Sequence, residues 1–401
     1  MATLADRLIR FDEAQDAYAG RLRPLPTERL PVDRALGRVL RGDAVSAVDL
    51  PRFDNSAMDG YALRSTDGDA PRRLVGRAEA GGAGPAVNAG ECVRILTGAP
   101  LPDGADAVIP QERVKVGDAE VRPTAEVSPG DHIRRRGEEI RRGDVVAASG
   151  ARVTTGLLGA LCAAGIDTVT VTRTVRVCVL VTGDEVVPIS QPLGPAQIHD
   201  ANGPMIRAIL GALPAELCWL RYVPDDADPV KTALTEALAE ADLVITSGGA
   251  SVGDRDHIPP TVAALGMQTH FWKVAQKPGK PLLFATRGEQ ALFALPGNPA
   301  AVFIGMHLHV APAIGYLSGL TEPGPVWQRG RLVEQRPMRG DRTQLVRAQA
   351  FTDADGQMWL RLLGGQGSHM LGNLAEANAI ARIEPGDDQT VVPFSRVTLP
   401  S

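Results

Sequence analysis

The sequence predicts a multidomain α/β protein whose central domain is a doubly wound, mostly parallel sheet. Between residues 171 and 320, short apolar runs alternate with helical segments, which is the pattern of such a sheet. Residues 64–150 are instead rich in valine, glycine and proline, which indicates a mostly β module with short strands. The chain of 401 residues also exceeds what one hydrophobic core usually serves.

Four domains are expected from the order of these patterns. Leu4–Arg21 has apolar residues near helical spacing and predicts an amphipathic helix, and Thr155–Ala164 predicts a second helix. Residues 1–45 and 143–170 would form a helical, elongated N-terminal domain, interrupted by an inserted, mostly β domain at residues 46–142. The α/β domain would cover residues 171–320 and a small C-terminal β domain residues 321–401.

The elements of the last two domains follow in a regular series. Strands of the α/β domain are predicted at Val175–Val181, Glu216–Val223, Leu243–Thr246, Thr269–Val274 and Leu292–Leu295. Its helical segments are predicted at Gly203–Leu213, Pro229–Ala241, His257–Leu265 and Ala300–Tyr316. Strands of the C-terminal domain are predicted at Arg329–Val333, Thr343–Ala350, Trp359–Leu363 and Arg396–Leu399. A ligand is expected beyond the carboxyl ends of the parallel strands.

Composition argues against several classes of protein. A net charge of −5 with 4% aromatic residues argues against nucleic acid or an anionic membrane as the main partner. The four cysteines are widely spaced, which fits a reduced cytoplasm and neither a disulfide framework nor a zinc site. Acidic residues near the N-terminus argue against a signal peptide. The apolar run Ala300–Leu317 is broken by two histidines and a proline, which indicates a buried helix and not a membrane span.

Three loops that follow strands combine residues suited to an oxyanion. The first has glycines that let the backbone approach an anion and serines that add hydroxyl donors, namely Ser247, Gly248, Gly249 and Ser251. The second carries the cations Lys273, Lys277 and Lys280. The third is stiffened by Pro296 and Pro299, and Pro299 suits the first position of a helix whose N-terminus favours an anion. Each loop alone is typical of an ordinary turn, but their combination predicts a pocket for a phosphorylated or oxyanionic ligand.

Carboxylates occur at three strand ends of the same predicted sheet. Glu185 and Asp225 follow the first two strands, and Asp256 lies in the glycine-containing loop. Octahedral Mg²⁺ usually takes one or two carboxylates together with water and phosphate oxygens, so these residues are candidate metal ligands. For Asp225, capping of the next helix is an equally good interpretation.

The segment Asp49–Ala62 is not explained by any generic turn or core pattern. It reads Asp-Leu-Pro-Arg-Phe-Asp-Asn-Ser-Ala-Met-Asp-Gly-Tyr-Ala. With the three loops, it resembles the molybdopterin molybdenumtransferase family, which is related to the E domain of gephyrin, and the resemblance runs over essentially the whole chain. It implies a central domain of the molybdopterin-binding type and an enzyme that inserts molybdate into adenylylated molybdopterin with release of AMP. It also implies Mg²⁺ as cofactor and a homodimer with active sites between subunits.

The resemblance assigns roles to individual residues. It implies catalytic roles for Asp59, Glu185, Asp256 and Lys277, and metal binding by Glu185 and Asp256. Asp225 stays a candidate metal ligand from its place at a strand end. It implies substrate binding by the residues of the three loops and by Thr97, Glu139, Arg347 and Ser368. Members of the family often carry aspartate where this chain has Glu139, which keeps a carboxylate but changes its reach. Arg347, which alternates within a predicted strand, is also compatible with a surface position.

Two other functions stay open at this point. A molybdopterin adenylyltransferase, which makes the substrate, has a fold that resembles residues 170–320, but it is a single small domain. A gephyrin-like scaffold would use such a domain to cluster receptors, yet the sequence has no extra domain and no long disordered linker. Tungstate is an alternative to molybdate, because the two anions have nearly the same size and charge. An adenylyltransferase that docks to hand over its product is a further expected partner.

Overall fold

The structure is a computed structural model that describes residues 7–249, 256–334, 340–386 and 390–397. Its helices are Phe11–Ala19, Thr155–Ala163, Asn202–Gly211, Ala227–Glu240, Ile258–Ala264, Pro299–Gly305 and Ala311–Ser318. A π-helical segment, Met306–Val310, joins the last two into one continuous element. The helical segments predicted in the α/β domain are all present, and their ends shift by at most 2 residues.

The central sheet is doubly wound and mostly parallel, as predicted. Its strands lie in the order Leu8–Ile9, Gln268–Val274, Pro281–Arg287, Gln290–Leu295, Leu243–Ser247, Val175–Thr182 and Ala215–Val223. Among these described strands only Pro281–Arg287 runs against its neighbours. The carboxyl ends of Val175–Thr182, Leu243–Ser247 and Gln290–Leu295 therefore meet at one edge of the sheet.

Burial on both faces explains the continuous apolar runs of the central strands. On one face, Val177 and Val179 pack in a cluster with Phe293 and with the long helical element Pro299–Ser318. On the other face, Cys178 packs in a second cluster that includes the helix Ala227–Glu240. By length and composition Pro299–Ser318 could cross a membrane, but 78% of its 18-residue apolar stretch is buried inside the protein. It is the buried core helix that the sequence predicts.

Two strands of the central sheet were not predicted. Leu8–Ile9 was expected to be helical, but it pairs in parallel with Lys273 and Val274, and the helix begins only at Phe11. That pairing is a tertiary contact, which the local apolar spacing does not reveal; residues 1–6 lie outside the described part of the chain. Pro281–Arg287 forms a hairpin with Gln290–Leu295, and the proline at its start hides the strand pattern.

The β module is a separate sheet between paired flanking strands. Thr27–Pro31 pairs with Thr168–Thr172, and Ala44–Val45 pairs with Val145–Ala147, so the chain leaves and re-enters the N-terminal region at adjacent points. The module contains a six-stranded sheet in the order Ala107–Pro110, Gly60–Leu63, Glu91–Ile95, Arg72–Ala78, Glu120–Pro123 and Val114–Val116. Asp59 directly precedes one of its central strands.

The C-terminal domain is a small β-barrel. Its strands follow the order Thr343–Thr352, Met358–Leu362, Trp327–Leu332, Val391–Arg396 and Ala379–Ile383, and the last pairs again with the first. Ala379–Ile383 was not predicted, and the strand expected at Arg396–Leu399 instead ends at Arg396, with residues 398–401 outside the described part of the chain. The short strand Gln276–Lys277 pairs with Thr343 and Gln344, which joins the barrel to the α/β domain.

Candidate active site

A cavity of about 640 Å³ lies where the strands of the central sheet end. The loops after Val175–Thr182, Leu243–Ser247 and Gln290–Leu295 form its walls. The site residues predicted from the sequence that line it are Glu185, Asp225, Gly248, Gly249, Asp256, Pro296 and Pro299. The doubly wound topology thus brings together three loops that are far apart in the sequence.

The carboxylates form one side of this cavity. Asp184 Oδ1 accepts a hydrogen bond from the Asp225 backbone N–H at 3.1 Å. Burial raises the pKa of Asp225, and the nearby charges of Asp184 and Glu185 raise it further. Asp226, and not Asp225, is the N-cap of the next helix, so Asp225 is left facing the cavity. The arrangement concentrates negative charge, which a cation would relieve.

The carboxylates do not form a closed metal cage. Within the described residues, no group of three or more His, Cys, Asp or Glu side chains is close enough to hold an ion by itself. Mg²⁺ does not require such a cage, because it commonly takes one or two carboxylates and completes its octahedron with water and substrate oxygens. The donors present fit that kind of ion and do not fit a structural zinc site.

The glycine loop is shaped by close packing on the neighbouring strand. Gly248 has a φ of +96°, and a Cβ built there would lie 2.6 Å from the carbonyl oxygen of Thr182. Its N–H donates to the carbonyl of Leu295 at 3.1 Å. The expectation that this N–H would face an anion is therefore wrong, because the strand partner already uses it. Ser251, the second predicted hydroxyl donor, lies outside the described residues.

Asn202, which the sequence analysis missed, ties two of the loops together. Its Nδ2 donates to Ser247 Oγ and to the carbonyl of Gly297, each at 2.8 Å. Asn202 lines the cavity, and its buried Oδ1 has no hydrogen-bond partner among the described residues. The Asp200-Ala-Asn202 sequence at a helix start is the available signal, since Asp200 accepts the Asn202 N–H at 2.8 Å.

The proline loop meets the C-terminal barrel. Pro299 occupies the start of its helix as predicted. The Ala300 N–H donates to the carbonyl of Ser368 at 3.1 Å, and Asn298 Nδ2 lies 3.0 Å from Ser368 Oγ. The helix N-terminus expected to bind an anion is therefore capped in part by the barrel. The same contacts bring Ser368 to the edge of the cavity, and His369, which was not predicted, lines it.

Arg347 lies beneath the loop that presents Ser368. Its side chain is only 1% exposed, so the surface position considered for it is wrong. Nη2 donates to the carbonyls of Gly365 and Gly367 at 2.7 and 3.2 Å, whereas the buried Nε and Nη1 have no partner among the described residues. Burial lowers the pKa of Arg347, because a guanidinium removed from water is stabilised less.

The lysines lie on the segment 273–281, which we call the lysine loop. Lys273 Nζ is 5.0 Å from the ring centroid of Trp272, and Lys277 and Lys280 are exposed. The cavity lining includes Pro281, at the end of this loop, but none of these three lysines. The loop therefore borders the cavity, and its ammonium groups lie outside the enclosed part.

Asp59 and Thr97 contact each other in the β module, away from the cavity lining. Asp59 Oδ1 accepts from both the backbone N–H and the Oγ1 of Thr97, each at 2.7 Å. These bonds lower the pKa of Asp59, the backbone bond most. Glu139 is exposed in the turn segment that follows the strand Ile133–Arg134. One chain does not bring the pair formed by Asp59 and Thr97 to the sheet edge.

Known proteins match this chain over nearly its whole length. Three family models match in order: the MoeA N-terminal region (domain I and II) over residues 9–165, a probable molybdopterin binding domain over 178–316, and the MoeA C-terminal region (domain IV) over 329–392. A molybdopterin molybdenumtransferase from Haemophilus influenzae is 34% identical over 407 residues, which covers 97% of this chain and 100% of that protein. The chain belongs to the molybdopterin molybdenumtransferase family.

Two further likenesses agree with membership of the molybdopterin molybdenumtransferase family. A molybdopterin molybdenumtransferase from Nostoc sp. is 34% identical over 376 residues, covering 90% of this chain and 86% of that protein. The crystal structure of a molybdopterin biosynthesis moeA protein from Pyrococcus horikoshii OT3 has a TM-score of 0.82 at 26% identity, covering 97% and 100%. The predicted family and fold class are confirmed, and the chain is a transferase of molybdenum cofactor biosynthesis. A single-domain adenylyltransferase would not match over all three regions.

Proposed function

We propose that this chain transfers molybdate to adenylylated molybdopterin and releases AMP, with Mg²⁺ as its cofactor. The observation that carries the proposal is the cavity at the sheet edge, where Glu185, Asp225 and Asp256 share one space with loops from two domains. The reaction brings together a pyrophosphate link and a separate oxyanion, molybdate. Cleavage of the first would be helped by a carboxylate-held metal ion, and binding of the second needs polar donors. Family membership supplies the substrate class, and the cavity offers both kinds of group.

Glu185 and Asp256, with Asp225 beside them, would hold the metal ion. When bound, Mg²⁺ would neutralise the negative charge that develops as the pyrophosphate link is cleaved. The pKa of Asp225 is raised mostly by burial and further by the charges of Asp184 and Glu185, so a cation beside these carboxylates would favour the ionised form. Gly248 and Gly249 let the loop pack closely enough to bring these side chains to one cavity.

Molybdate would be held by the barrel side of the site and by the lysine loop. Arg347 would act from beneath by fixing the loop that presents Ser368, since its Nη2 donates to the carbonyls of Gly365 and Gly367. Lys277 and Lys280 would add positive charge at the open side, together with Lys273. The dithiolene sulfurs of molybdopterin would themselves ligate molybdenum, since soft thiolates suit such metals.

A homodimer with shared sites is part of the proposal. Asp59 and Thr97 form a hydrogen-bonded pair that does not line the cavity of its own chain. We place the pair, with Glu139, in the site of a second subunit. Mixing inactive Asp59→Asn protein with inactive Lys277→Ala protein should restore partial activity, since one site of each heterodimer carries neither change. Subunit exchange without recovery would refute a shared site.

The deciding experiment follows AMP release from adenylylated molybdopterin. Release should require both molybdate and Mg²⁺, and Glu185→Gln or Asp256→Asn should lower the rate by about 100-fold or more. Asp226→Asn is the matched control, because Asp226 neighbours the site, makes no capping bond and does not line the cavity. If chelator-treated reactions without molybdate released AMP as fast as complete reactions, the molybdenumtransferase assignment would be wrong. Tungstate in place of molybdate tests anion preference in the same assay.

The setting of the reaction belongs to the same proposal. Four free cysteines support a cytoplasmic enzyme. We expect an adenylyltransferase to dock and hand over the adenylylated substrate. Pull-down of that enzyme by this protein, and faster AMP release in its presence than with free substrate, would support the docking; equal rates would contradict it.

A further inference from the structure

The lysine loop closes on a buried amide side chain. Gln276 is only 1% exposed, and its Nε2 donates to the carbonyl oxygen of Gly279 at 3.1 Å. Gly279 has a φ of +88°, and a Cβ built there would lie 2.9 Å from the same Nε2 atom. The turn between Lys277 and Lys280 is therefore folded directly onto the amide of Gln276.

A buried histidine orients this amide. His309 is 0% exposed, and its Nε2 lies 2.9 Å from Gln276 Oε1. Because the Gly279 carbonyl can only accept, Gln276 must turn its NH₂ toward Gly279 and its oxygen toward His309. His309 must then carry its proton on Nε2. Burial lowers the pKa of His309 to about 3, so the ring is neutral and keeps this single N–H.

The ring of His309 is fixed within the core. It belongs to the π-helical segment Met306–Val310, a kind of distortion that recurs at functional sites. The rings of Phe11 and Tyr18 meet it edge-on, with centroids 5.2 and 6.2 Å away. Its Nδ1 is buried without a partner among the described residues. A phenylalanine would fill this space and remove the unpaired Nδ1, but it would leave the buried Gln276 Oε1 without its donor. The bond to Gln276 is therefore what distinguishes histidine here.

We propose that His309 is a positioning residue that acts through Gln276 to fix the turn at Gly279, and thereby the spacing of Lys277 and Lys280. The inference rests on the proposed role of these lysines in holding substrate oxyanions. Histidine and glutamine lie 33 positions apart in the sequence, and neither lines the cavity. The pair therefore does not contact the substrate and affects the site only by fixing the conformation of the lysine loop.

Four variants of the full-length protein test the proposal. His309→Phe keeps a ring of similar size without the N–H, and Gln276→Met removes the amide at similar volume. His309→Gln places an amide N–H where Nε2 stood. His307→Phe is the matched control, because His307 lies in the same segment but packs edge-on against Phe303, with ring centroids 4.6 Å apart. For each variant, hydrogen exchange of the lysine loop and of the helix Ala227–Glu240 is measured together with AMP release at varied molybdate.

The proposal expects changes confined to the loop. His309→Phe and Gln276→Met should raise exchange in the lysine loop by roughly 3- to 10-fold and leave Ala227–Glu240 unchanged. Their kcat/KM for molybdate should fall by about 10- to 100-fold, since small displacements of positioned groups carry such effects. His309→Gln should restore most of both properties, and His307→Phe should match the wild type.

Two results would overturn the positioning role. Unchanged loop exchange in both His309→Phe and Gln276→Met would overturn it whatever the activity, and so would equal changes in His307→Phe. The exchange readout does not depend on what the lysines do. Loop exchange could change as expected while Lys277→Ala keeps normal AMP release. In that case the positioning role of His309 and Gln276 is supported, and the proposed oxyanion-binding role of Lys277 is wrong.

Discussion

Replacing Gly248 by alanine should destabilise the central sheet through two separable effects. The φ of +96° is unfavourable for any L side chain, at about 1–2 kcal/mol. The new Cβ would also lie 2.6 Å from both the carbonyl oxygen and the Oγ1 of Thr182, nearer than Cβ atoms normally come. Forcing a methyl group into a packed site costs about 1–3 kcal/mol. The expected loss is therefore about 2–5 kcal/mol in the free energy of unfolding.

Gly266→Ala provides a matched control for this prediction. Gly266 follows the helix Ile258–Ala264 with a φ of +73°, and a Cβ there would meet nothing within 4 Å. Alanine at this position should lose only the conformational term of about 1–2 kcal/mol. The difference between the two variants measures the contact with Thr182.

Thiol labelling of Cys178 is the assay, because it reports on the strand that ends at Thr182. Burial raises the pKa of the Cys178 thiol to about 12, so the thiol reacts when the strand opens. Labelling in sub-denaturing urea, followed by mass spectrometry, should accelerate roughly 30-fold or more in Gly248→Ala. Labelling no faster than in Gly266→Ala would refute the close-packing argument.

Two further predictions concern titrating groups of the site. The pKa of Asp225 is raised by burial and by the charges of Asp184 and Glu185, so ionisation of Asp225 lowers stability as the pH rises through that raised pKa. Without metal, Asp225→Asn should raise the Tm relative to the wild type at pH near 7 and not below the ordinary aspartate pKa of about 3.9; an equal difference at both pH values would contradict this. The pKa of Asp59 is lowered first by the backbone N–H of Thr97 and then by its hydroxyl. Thr97→Val should raise the pKa of Asp59 in an NMR titration but leave it below its ordinary value, because the backbone bond remains. The acid limb of the pH profile of AMP release should move to higher pH. An unshifted pKa would argue against the hydroxyl bond.

Sequence patterns predicted the parts of the site that follow from one topological rule. In a doubly wound sheet the ligand lies beyond the carboxyl ends of the strands, so apolar runs followed by polar loops already place Glu185, Asp225 and Asp256 at one edge. Contacts between segments that are distant in the sequence were not predicted by this rule. The bonds of Asn202 to Ser247 and Gly297, and of His309 to Gln276, join residues far apart in the sequence. His369 reaches the cavity because the barrel packs on the proline loop.

Apolar periodicity and turn residues act over a few neighbouring positions, so they were enough to predict the fold class and most of the loops that carry chemistry. The family followed instead from the resemblance carried by Asp49–Ala62 and the three loops. Which hydrogen-bond donors remain available to a ligand depends on the tertiary structure. In the folded chain the Gly248 N–H donates to the Leu295 carbonyl and the Ala300 N–H donates to the Ser368 carbonyl. Arg347 is buried, with two nitrogens that have no partner among the described residues. Hydrogen-bond partners across domains depend on how whole elements pack, which no local pattern encodes.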